Sequence, residues 1–215
     1  MQENYSKKCE EILNTIKTKK TILLHSCCGP CSSYVITYLT NFFDITILYY
    51  NPNISPYEEY LKRKEEQIKI IKELNKIYEN KINIIDCDYD NEIYEKNIKG
   101  LEKEPERGKR CEICYEMRIK KTAEIAKENN YDYFCTTLSV SPFKNATLIN
   151  KIGEKMEKAY NINWLYSDFK KKDGYKKSIA LSQKYNLYRQ NYCGCIYSQK
   201  NLQVINKNNR NSNNN

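Results

Sequence analysis

The chain reads Thr21-Ile-Leu-Leu-His-Ser-Cys-Cys-Gly-Pro-Cys31 near its start, and this stretch decides the fold class. Residues 21–26, with Ile22-Leu-Leu24 as their apolar centre, have the length and pattern of a short buried strand. The run leads directly into three cysteines, and a helical stretch follows over residues 32–41. The sequence therefore predicts a strand, a cysteine-bearing loop and a helix in immediate succession.

The same alternation continues along the chain. Further strands are predicted over residues 44–50, 81–86 and 133–138 and near 163–166, and the helices that follow them begin near Pro56, Cys111, Ala146 and Gly174. Strands that alternate with helices indicate an α/β fold, in which a parallel sheet is covered on both faces and ligands bind beyond the carboxyl ends of the strands. We expect residues 1–205 to form one α/β domain with a metal site at that edge of the sheet. The Asn-rich residues 206–215 are expected to be disordered.

Composition limits the class of protein. The N-terminus is polar and lacks the apolar stretch of a signal peptide, and no apolar run approaches the roughly 18 residues of a membrane span. We therefore expect a cytoplasmic protein, in which ten cysteines are more often metal ligands, redox pairs or buried hydrophobes than structural disulfides. The net charge of +9 fits an anionic partner such as nucleic acid. Because Lys, Asn, Ile and Tyr are abundant throughout, this charge alone favours RNA only modestly.

Two cysteine groups stand at predicted helix starts. Cys27, Cys28 and Cys31 lie where free backbone N–H groups and the helix dipole favour thiolate, the form of cysteine that binds metal. Cys111 and Cys114 lie three residues apart and share one face of their helix. Together with Cys27 and Cys28 they supply four thiolates, the number that a 4Fe–4S cluster or a structural zinc requires.

The third group is Cys193-Gly-Cys195. Two residues of extended chain span roughly 7 Å, which is the limit of disulfide reach, and Gly194 permits a turn that brings the sulfurs closer. The pair could form a reversible disulfide or bind a metal.

The remaining candidates are single residues. We expect Cys87 and Cys135 in the core, and Cys9 at the solvent edge of the first helix. His25, the only histidine, precedes the cysteine loop and suits either proton transfer or a structural role.

Five motifs occur in order along the chain. They are Leu24-His-Ser-Cys-Cys-Gly-Pro-Cys-Ser32, Asn51-Pro-Asn-Ile-Ser-Pro56 with Glu59-Tyr60 and Arg63, Arg110-Cys-Glu-Ile-Cys-Tyr-Glu-Met-Arg118, Thr136-Thr-Leu-Ser-Val-Ser-Pro142, and Tyr188-Arg-Gln-Asn-Tyr-Cys-Gly-Cys-Ile-Tyr-Ser198. This ordered set resembles the cobalamin-independent epoxyqueuosine reductases, the QueH family. The resemblance implies a Rossmann-like (HUP-type) fold and a 4Fe–4S cluster. It also implies removal of the epoxide oxygen from epoxyqueuosine at the tRNA wobble position, the last step of queuosine synthesis.

The resemblance also implies roles for the cysteines. Cys27, Cys28, Cys111 and Cys114 would be the cluster ligands, and Cys193 with Cys195 would form the redox-active pair. Members of the family can hold a further iron beside the cluster. Cys31, which stands where some relatives carry an aspartate, could ligate such an iron together with Cys193 and Cys195. The reaction would take two electrons from a donor that the sequence does not identify.

Two other functions fit the same cysteines. One is an RNA-binding protein with a structural zinc in the four-thiolate site, and the other is a thiol-disulfide oxidoreductase without metal. Metal content distinguishes both from the cluster protein. A third, an ATP-dependent RNA thiolation enzyme on a related fold, is disfavoured because Cys27-Cys-Gly-Pro-Cys31 replaces the Ser-Gly-Gly type of pyrophosphate-binding loop.

Overall fold

The computed structural model describes residues 3–200, and its centre is a parallel sheet of five strands. The strands are β1 (Lys20–His25), β2 (Phe43–Tyr49), β3 (Asn83–Asp86), β4 (Tyr133–Thr136) and β5 (Asn163–Trp164). Their order across the sheet is β3-β2-β1-β4-β5. Strands β2 and β3 therefore extend the sheet on one side of β1, and β4 and β5 extend it on the other, which makes the boundary between β1 and β4 a topological switch point. Folds of this type bind ligands at such a switch point, beyond the carboxyl ends of the strands.

The central strand explains why the sequence folds this way. Ile22, Leu23 and Leu24 are fully buried, as a strand covered on both faces requires. In the sheet, Leu24 lies between Ile47 of β2 and Cys135 of β4. A continuous apolar run is thus buried from both sides, and the loop after it is fixed in position.

Helices cover both faces of the sheet. They are α1 (Tyr5–Thr15), α2 (Gly29–Leu39), α3 (Tyr57–Leu74), α4 (Asn91–Asn97), α5 (Lys109–Glu128), α6 (Ala146–Tyr160) and α7 (Gly174–Lys184). On one face α2 packs against α3 and α7, and on the other α6 packs against α1 and α5. The predicted α/β fold with a parallel sheet between helical layers is confirmed.

Some element boundaries differ from the prediction. The fourth strand ends at Thr136, because the Thr136 hydroxyl accepts from the Leu138 N–H and the chain continues as a 3-10 turn over Thr137–Val140. The charged segment after β3 contains α4, a helix that apolar periodicity did not reveal. Helix α2 begins at Gly29, where a Cβ would lie 2.5 Å from the Glu66 carbonyl oxygen. Glycine is required there for close approach of α2 to α3.

Two expectations about burial were wrong. Cys9 is 3% exposed and packs in the core, because Tyr5, Cys9 and Leu13 form the apolar face with which α1 covers the protein. Cys87, which was expected in the core, is only partly buried and packs against the core cluster. Cys135 is fully buried as expected.

The expected domain end at residue 205 and the tail 206–215 lie outside the described residues. None of the helices within residues 3–200 is both long enough and apolar enough to cross a membrane.

Candidate active site

The first wall of the site is the loop between β1 and α2. Cys27 and Cys28 follow β1 directly, and Cys31 lies in the first turn of α2. The three sulfurs lie within 4.8 Å of one another, with 3.9 Å between Cys27 Sγ and Cys28 Sγ. Within residues 3–200, these three form the only group of His, Cys, Asp or Glu side chains at the spacing of a single metal ion.

Hydrogen bonds among these three thiols shift their pKa values in opposite directions. Hydrogen bonds from Cys27 and Cys31 hold the pKa of Cys28 well below its usual range, and the Arg63 guanidinium adds to this effect. The pKa values of Cys27 and Cys31 are raised, foremost by their hydrogen bonds within the same trio. The Gln190 amide also donates to Cys28 Sγ over 3.1 Å. Within this trio, the surroundings therefore favour negative charge on the Cys28 sulfur over the other two.

The second wall is the first turn of α5. Cys111 and Cys114 are 7% and 6% exposed, and the Arg107 backbone N–H donates to Cys111 Sγ over 3.3 Å. Burial raises the pKa of Cys114 to about 12, and the nearby Cys193 and Cys195 contribute. Cys111 and Cys114 lie too far from Cys27, Cys28 and Cys31 to share a single metal ion with them. Within the described chain, the four predicted ligands are therefore not close enough together to bind one small ion. A cubane cluster, which carries one thiolate on each iron, spreads its ligands more widely.

The third wall is the turn Cys193–Gly194–Cys195. Gly194 has φ +122°, and a Cβ there would lie 2.9 Å from Arg63 Nη1, so this turn requires glycine. The Ser55 N–H donates to the Gly194 carbonyl over 2.9 Å, and Arg63 Nη1 donates to the Cys193 carbonyl over 3.0 Å. Arg63 is itself buried and paired with Glu59 over 2.7 Å.

The cysteines are free thiols in the structure. This holds for all ten of them, including the predicted pair Cys193 and Cys195. Burial, followed by the neighbouring Cys193, raises the pKa of Cys195 to about 11. Cys31 lies with Cys27 and Cys28, and does not form a single-ion group with Cys193 and Cys195 in the described chain. Both the disulfide and the adjacent iron stay predictions.

Buried cations connect the three walls. Arg118, on α5, is 1% exposed, and its Nε donates to the Cys114 carbonyl over 3.0 Å. Burial would lower its pKa, but the charges of Cys114, Cys193 and Cys27 raise it. Lys144 lies 2.8 Å from Cys193 Sγ with its side chain 8% exposed. Burial would also lower the pKa of Lys144, but the neighbouring Cys193 raises it above its usual value.

Unpaired polar atoms also mark this edge of the protein. Eight buried side-chain atoms find no hydrogen-bond partner among residues 3–200: Asn51 Oδ1, Asn53 Oδ1, Gln67 Nε2, Arg110 Nε, Tyr115 Oη, Arg118 Nη2, Thr137 Oγ1 and Gln190 Oε1. Three of these residues lie on α5 beside its cysteines, and others directly follow β2 or β4. Leaving such an atom unpaired costs about 1–3 kcal/mol. Donors such as Arg118 Nη2 beside buried thiols fit an anionic metal–thiolate group.

His25 has a structural role. Its ring is fully buried, with Nδ1 2.8 Å from Thr136 Oγ1 and Nε2 3.1 Å from the Tyr50 carbonyl oxygen. Burial lowers the pKa of His25 to about 3, with a further contribution from Arg118. The neutral ring therefore joins the ends of β1, β2 and β4.

Sequence reasoning missed Lys144 as a functional residue and gave Arg63 no role. Both reach the Cys193 turn from distant segments, Arg63 from 130 residues away and Lys144 from 49. A usable signal existed for Lys144, since it lies two residues after the motif Thr136-Thr-Leu-Ser-Val-Ser-Pro142, which begins at the last residue of β4.

A family model described as "Epoxyqueuosine reductase QueH" matches residues 22–201. The chain belongs to the QueH family. The match spans all three cysteine walls, so the predicted family and enzyme class, an oxidoreductase, are confirmed.

Individual relatives agree with this family membership. The epoxyqueuosine reductase QueH of Streptococcus pyogenes is 42% identical over 182 residues, covering 85% of this chain and 71% of its own length. The Staphylococcus epidermidis QueH is also 42% identical, covering 91% of this chain and 84% of its own length. The Thermotoga maritima QueH is 34% identical, with 83% and 90% covered.

A solved structure shares the fold. The U34-tRNA thiolase NcsA of Methanococcus maripaludis, determined with its 4Fe–4S cluster, superposes with a TM-score of 0.51 over 95% of this chain and 71% of its own. Because the sequences are only 14% identical, this likeness confirms the Rossmann-like fold alone. Membership of the QueH family, rather than the shared fold, decides against a thiolation enzyme.

Proposed function

We propose that this chain converts epoxyqueuosine to queuosine at the wobble position of tRNA. The observation that carries the proposal is the convergence of three cysteine groups on the buried Arg63 and Arg118 in a member of this family. A structural zinc would need four of these thiolates and would leave the other three of the seven unexplained. A metal-free thiol-disulfide oxidoreductase would need only one pair of cysteines, and the other groups would have no role.

The cofactor that fits this site is a 4Fe–4S cluster, which Cys27, Cys28, Cys111 and Cys114 would hold. When bound, it would store and deliver electrons. The donor set supports this, since these thiols are largely buried and two arginines would offset the negative charge that they carry as ligands. Arg118 Nη2, which has no hydrogen-bond partner within the described part of the chain, is available to the same group.

The reaction takes two electrons and two protons. Both C–O bonds of the epoxide break, a carbon–carbon double bond forms, and the oxygen leaves as water. Closing the thiols of Cys193 and Cys195 to a disulfide releases two electrons and two protons, so the reaction balances. Gly194 gives the turn the freedom to close, and an electron donor, so far unidentified, would restore the dithiol.

Other residues of the site would support this step. The Lys144 ammonium at Cys193 Sγ stabilises negative charge on that sulfur as the proton leaves. The Tyr115 hydroxyl, which finds no partner among residues 3–200, lies close to Lys144 and Cys193 and can hold a proton there. Since the substrate is tRNA, the proposal implies a cytoplasmic enzyme whose basic surface meets the anticodon stem-loop.

A second role for the pair is ligation of an additional iron, with Cys31. The two roles differ in metal count. The experiment is to measure iron per chain and single-turnover queuosine formation for Cys193→Ser and Cys195→Ser, with Cys87→Ser as the control outside the site. Both roles predict that the first two variants lose turnover and keep the main cluster, and only the ligand role predicts loss of one iron.

Variants of Cys193 and Cys195 with full activity would remove the pair from the mechanism. Loss of the whole cluster in either would show that the ligands are wrongly assigned. Wild-type protein that holds its cluster and fails to convert epoxyqueuosine in tRNA, with reductant present, would refute the function.

A further inference from the structure

The exposed apolar side chains are unevenly distributed. Among residues 3–200 five large hydrophobic residues are exposed: Tyr57 at 48%, Leu61 at 37%, Ile77 at 58%, Ile93 at 51% and Phe143 at 60%. All except Ile77 lie on segments that follow the carboxyl ends of β2, β3 or β4, which is the cysteine edge. Ile77 follows the end of α3 and lies near Phe43 and Ile82, at the opposite edge. Exposed apolar groups concentrated beside a site indicate a binding surface.

Phe143 is held directly beside the proposed redox turn. The Arg107 guanidinium donates from Nε to the Phe143 carbonyl over 3.1 Å and from Nη2 to the Pro142 carbonyl over 3.5 Å. The next residue, Lys144, contacts Cys193 Sγ. The backbone on both sides of Phe143 is therefore anchored, while its ring projects to solvent.

Tyr57 is held on a second segment that reaches the same turn. Its ring lies 5.9 Å from the Tyr60 ring at an interplanar angle of 14°, and 5.0 Å from the Tyr89 ring. Two residues earlier, the Ser55 N–H donates to the Gly194 carbonyl. Tyr57 is thus an aromatic ring supported by its neighbours, with about half of its surface free.

We propose that Phe143 and Tyr57 are stacking platforms for unpaired bases of an RNA loop, positioned to either side of the base that enters the cysteine site. This inference rests on the proposed function. Unpaired loop bases can be splayed out and stacked on aromatic side chains, and every base has a face suited to such contact. Rings that are already anchored lose little conformational freedom on binding.

The charge beside the Phe143 ring fits RNA as the occupant. Arg107 and Lys109 lie on the exposed segment next to Phe143, and the chain as a whole carries +9. Cations near a stacking ring attract the phosphates between the stacked bases. The two platforms would hold the flanking nucleotides and leave the modified base free to reach Cys193.

The test uses an anticodon stem-loop RNA with 2-aminopurine at one or the other loop position beside the wobble base. Phe143→Ala and Tyr57→Ala should each weaken binding at least about fivefold. The ratio of variant Kd to wild-type Kd should be the same at low and high salt, because stacking releases no counterions. Each variant should also lose fluorescence quenching at one of the two positions. Phe143→Trp and Tyr57→Phe should restore binding, since they keep a ring.

Ile77→Ala is the matched control, because Ile77 is as exposed as Phe143 and lies at the other edge of the sheet. It should leave affinity and quenching unchanged. Unchanged affinity in both alanine variants would overturn the inference. So would slower turnover at unchanged RNA affinity, which would indicate a docking surface for the reductant instead. Wild-type protein that converts tRNA-bound epoxyqueuosine separates these results from failure of the proposed function, whereas wild-type protein that neither binds nor converts it would overturn both.

Discussion

Gly194→Ala is a sharp test of the Cys193–Gly194–Cys195 turn. Gly194 has φ +122°, and a Cβ there would lie 2.9 Å from Arg63 Nη1 and 3.1 Å from Ile54 Cγ1. The guanidinium cannot move aside easily, because Glu59 and the Cys193 carbonyl hold it. The added methyl group therefore displaces the turn and both of its thiols.

The magnitude follows from two separate costs. A side chain at this φ is strained by about 1–3 kcal/mol. Overlap with a packed neighbour adds about 1–3 kcal/mol. Gly100→Ala is the matched control, since Gly100 has φ +86° and nothing lies within 4 Å of a Cβ built there. Gly100→Ala therefore has the backbone strain but not the overlap with a neighbour.

The assay is urea unfolding together with single-turnover reduction of epoxyqueuosine in tRNA. We expect Gly194→Ala to be less stable than Gly100→Ala by about 1–3 kcal/mol. Its turnover should fall about 100-fold, because displacement of a reacting group by about 1 Å has that effect. Gly100→Ala should keep full turnover. A Gly194→Ala protein that folds and reacts like the wild type would refute the role of this turn.

Three further predictions concern packing, charge and RNA. Gly153→Ala should lower the free energy of unfolding by about 1–3 kcal/mol, because its Cβ would overlap the Trp164 ring, and an unchanged urea midpoint would contradict this. Lys144→Met should slow turnover about 10- to 150-fold, the value of a charged hydrogen bond, with iron content unchanged, and the exposed Lys155→Met serves as its control. Stem-loop RNA should bind the wild type less tightly as salt rises, and a Kd independent of salt would rule out phosphate contacts.

The parallel sheet was predictable because its central strand is buried on both faces. Ile22, Leu23 and Leu24 form an apolar run too short for a helix, and the cysteine loop follows it without a gap. Placing Cys27 and Cys28 at the edge of the sheet where ligands bind needed nothing more than the direction of β1.

The polar partners of the site were not predictable in the same way. Arg63 and Gln67 lie on the buried face of α3 among positions that periodicity assigns to apolar residues. Their burial is explained by the groups that they contact. Arg63 donates to the Cys193 carbonyl, and the Gln67 side-chain oxygen accepts from the Ser26 and Ser32 hydroxyls. No local pattern encodes contacts over such separations in sequence.

Cys9 was misplaced for a related reason. One apolar face of α1 is made of Tyr5, Cys9 and Leu13, at a spacing of four residues. Lysines and glutamates stand between these three residues in the sequence, and they weaken the apolar periodicity of the helix. The structure shows that a short helix with three such residues covers part of the core.

The most direct test of the cluster assignment is the iron and acid-labile sulfide content of anaerobically purified protein. Wild-type protein should hold at least about four irons per chain with matching sulfide. Serine at Cys27, Cys28, Cys111 or Cys114 should lower that content, whereas Cys87→Ser should leave it intact. Stoichiometric zinc without iron, in protein made with ample iron, would contradict the assignment.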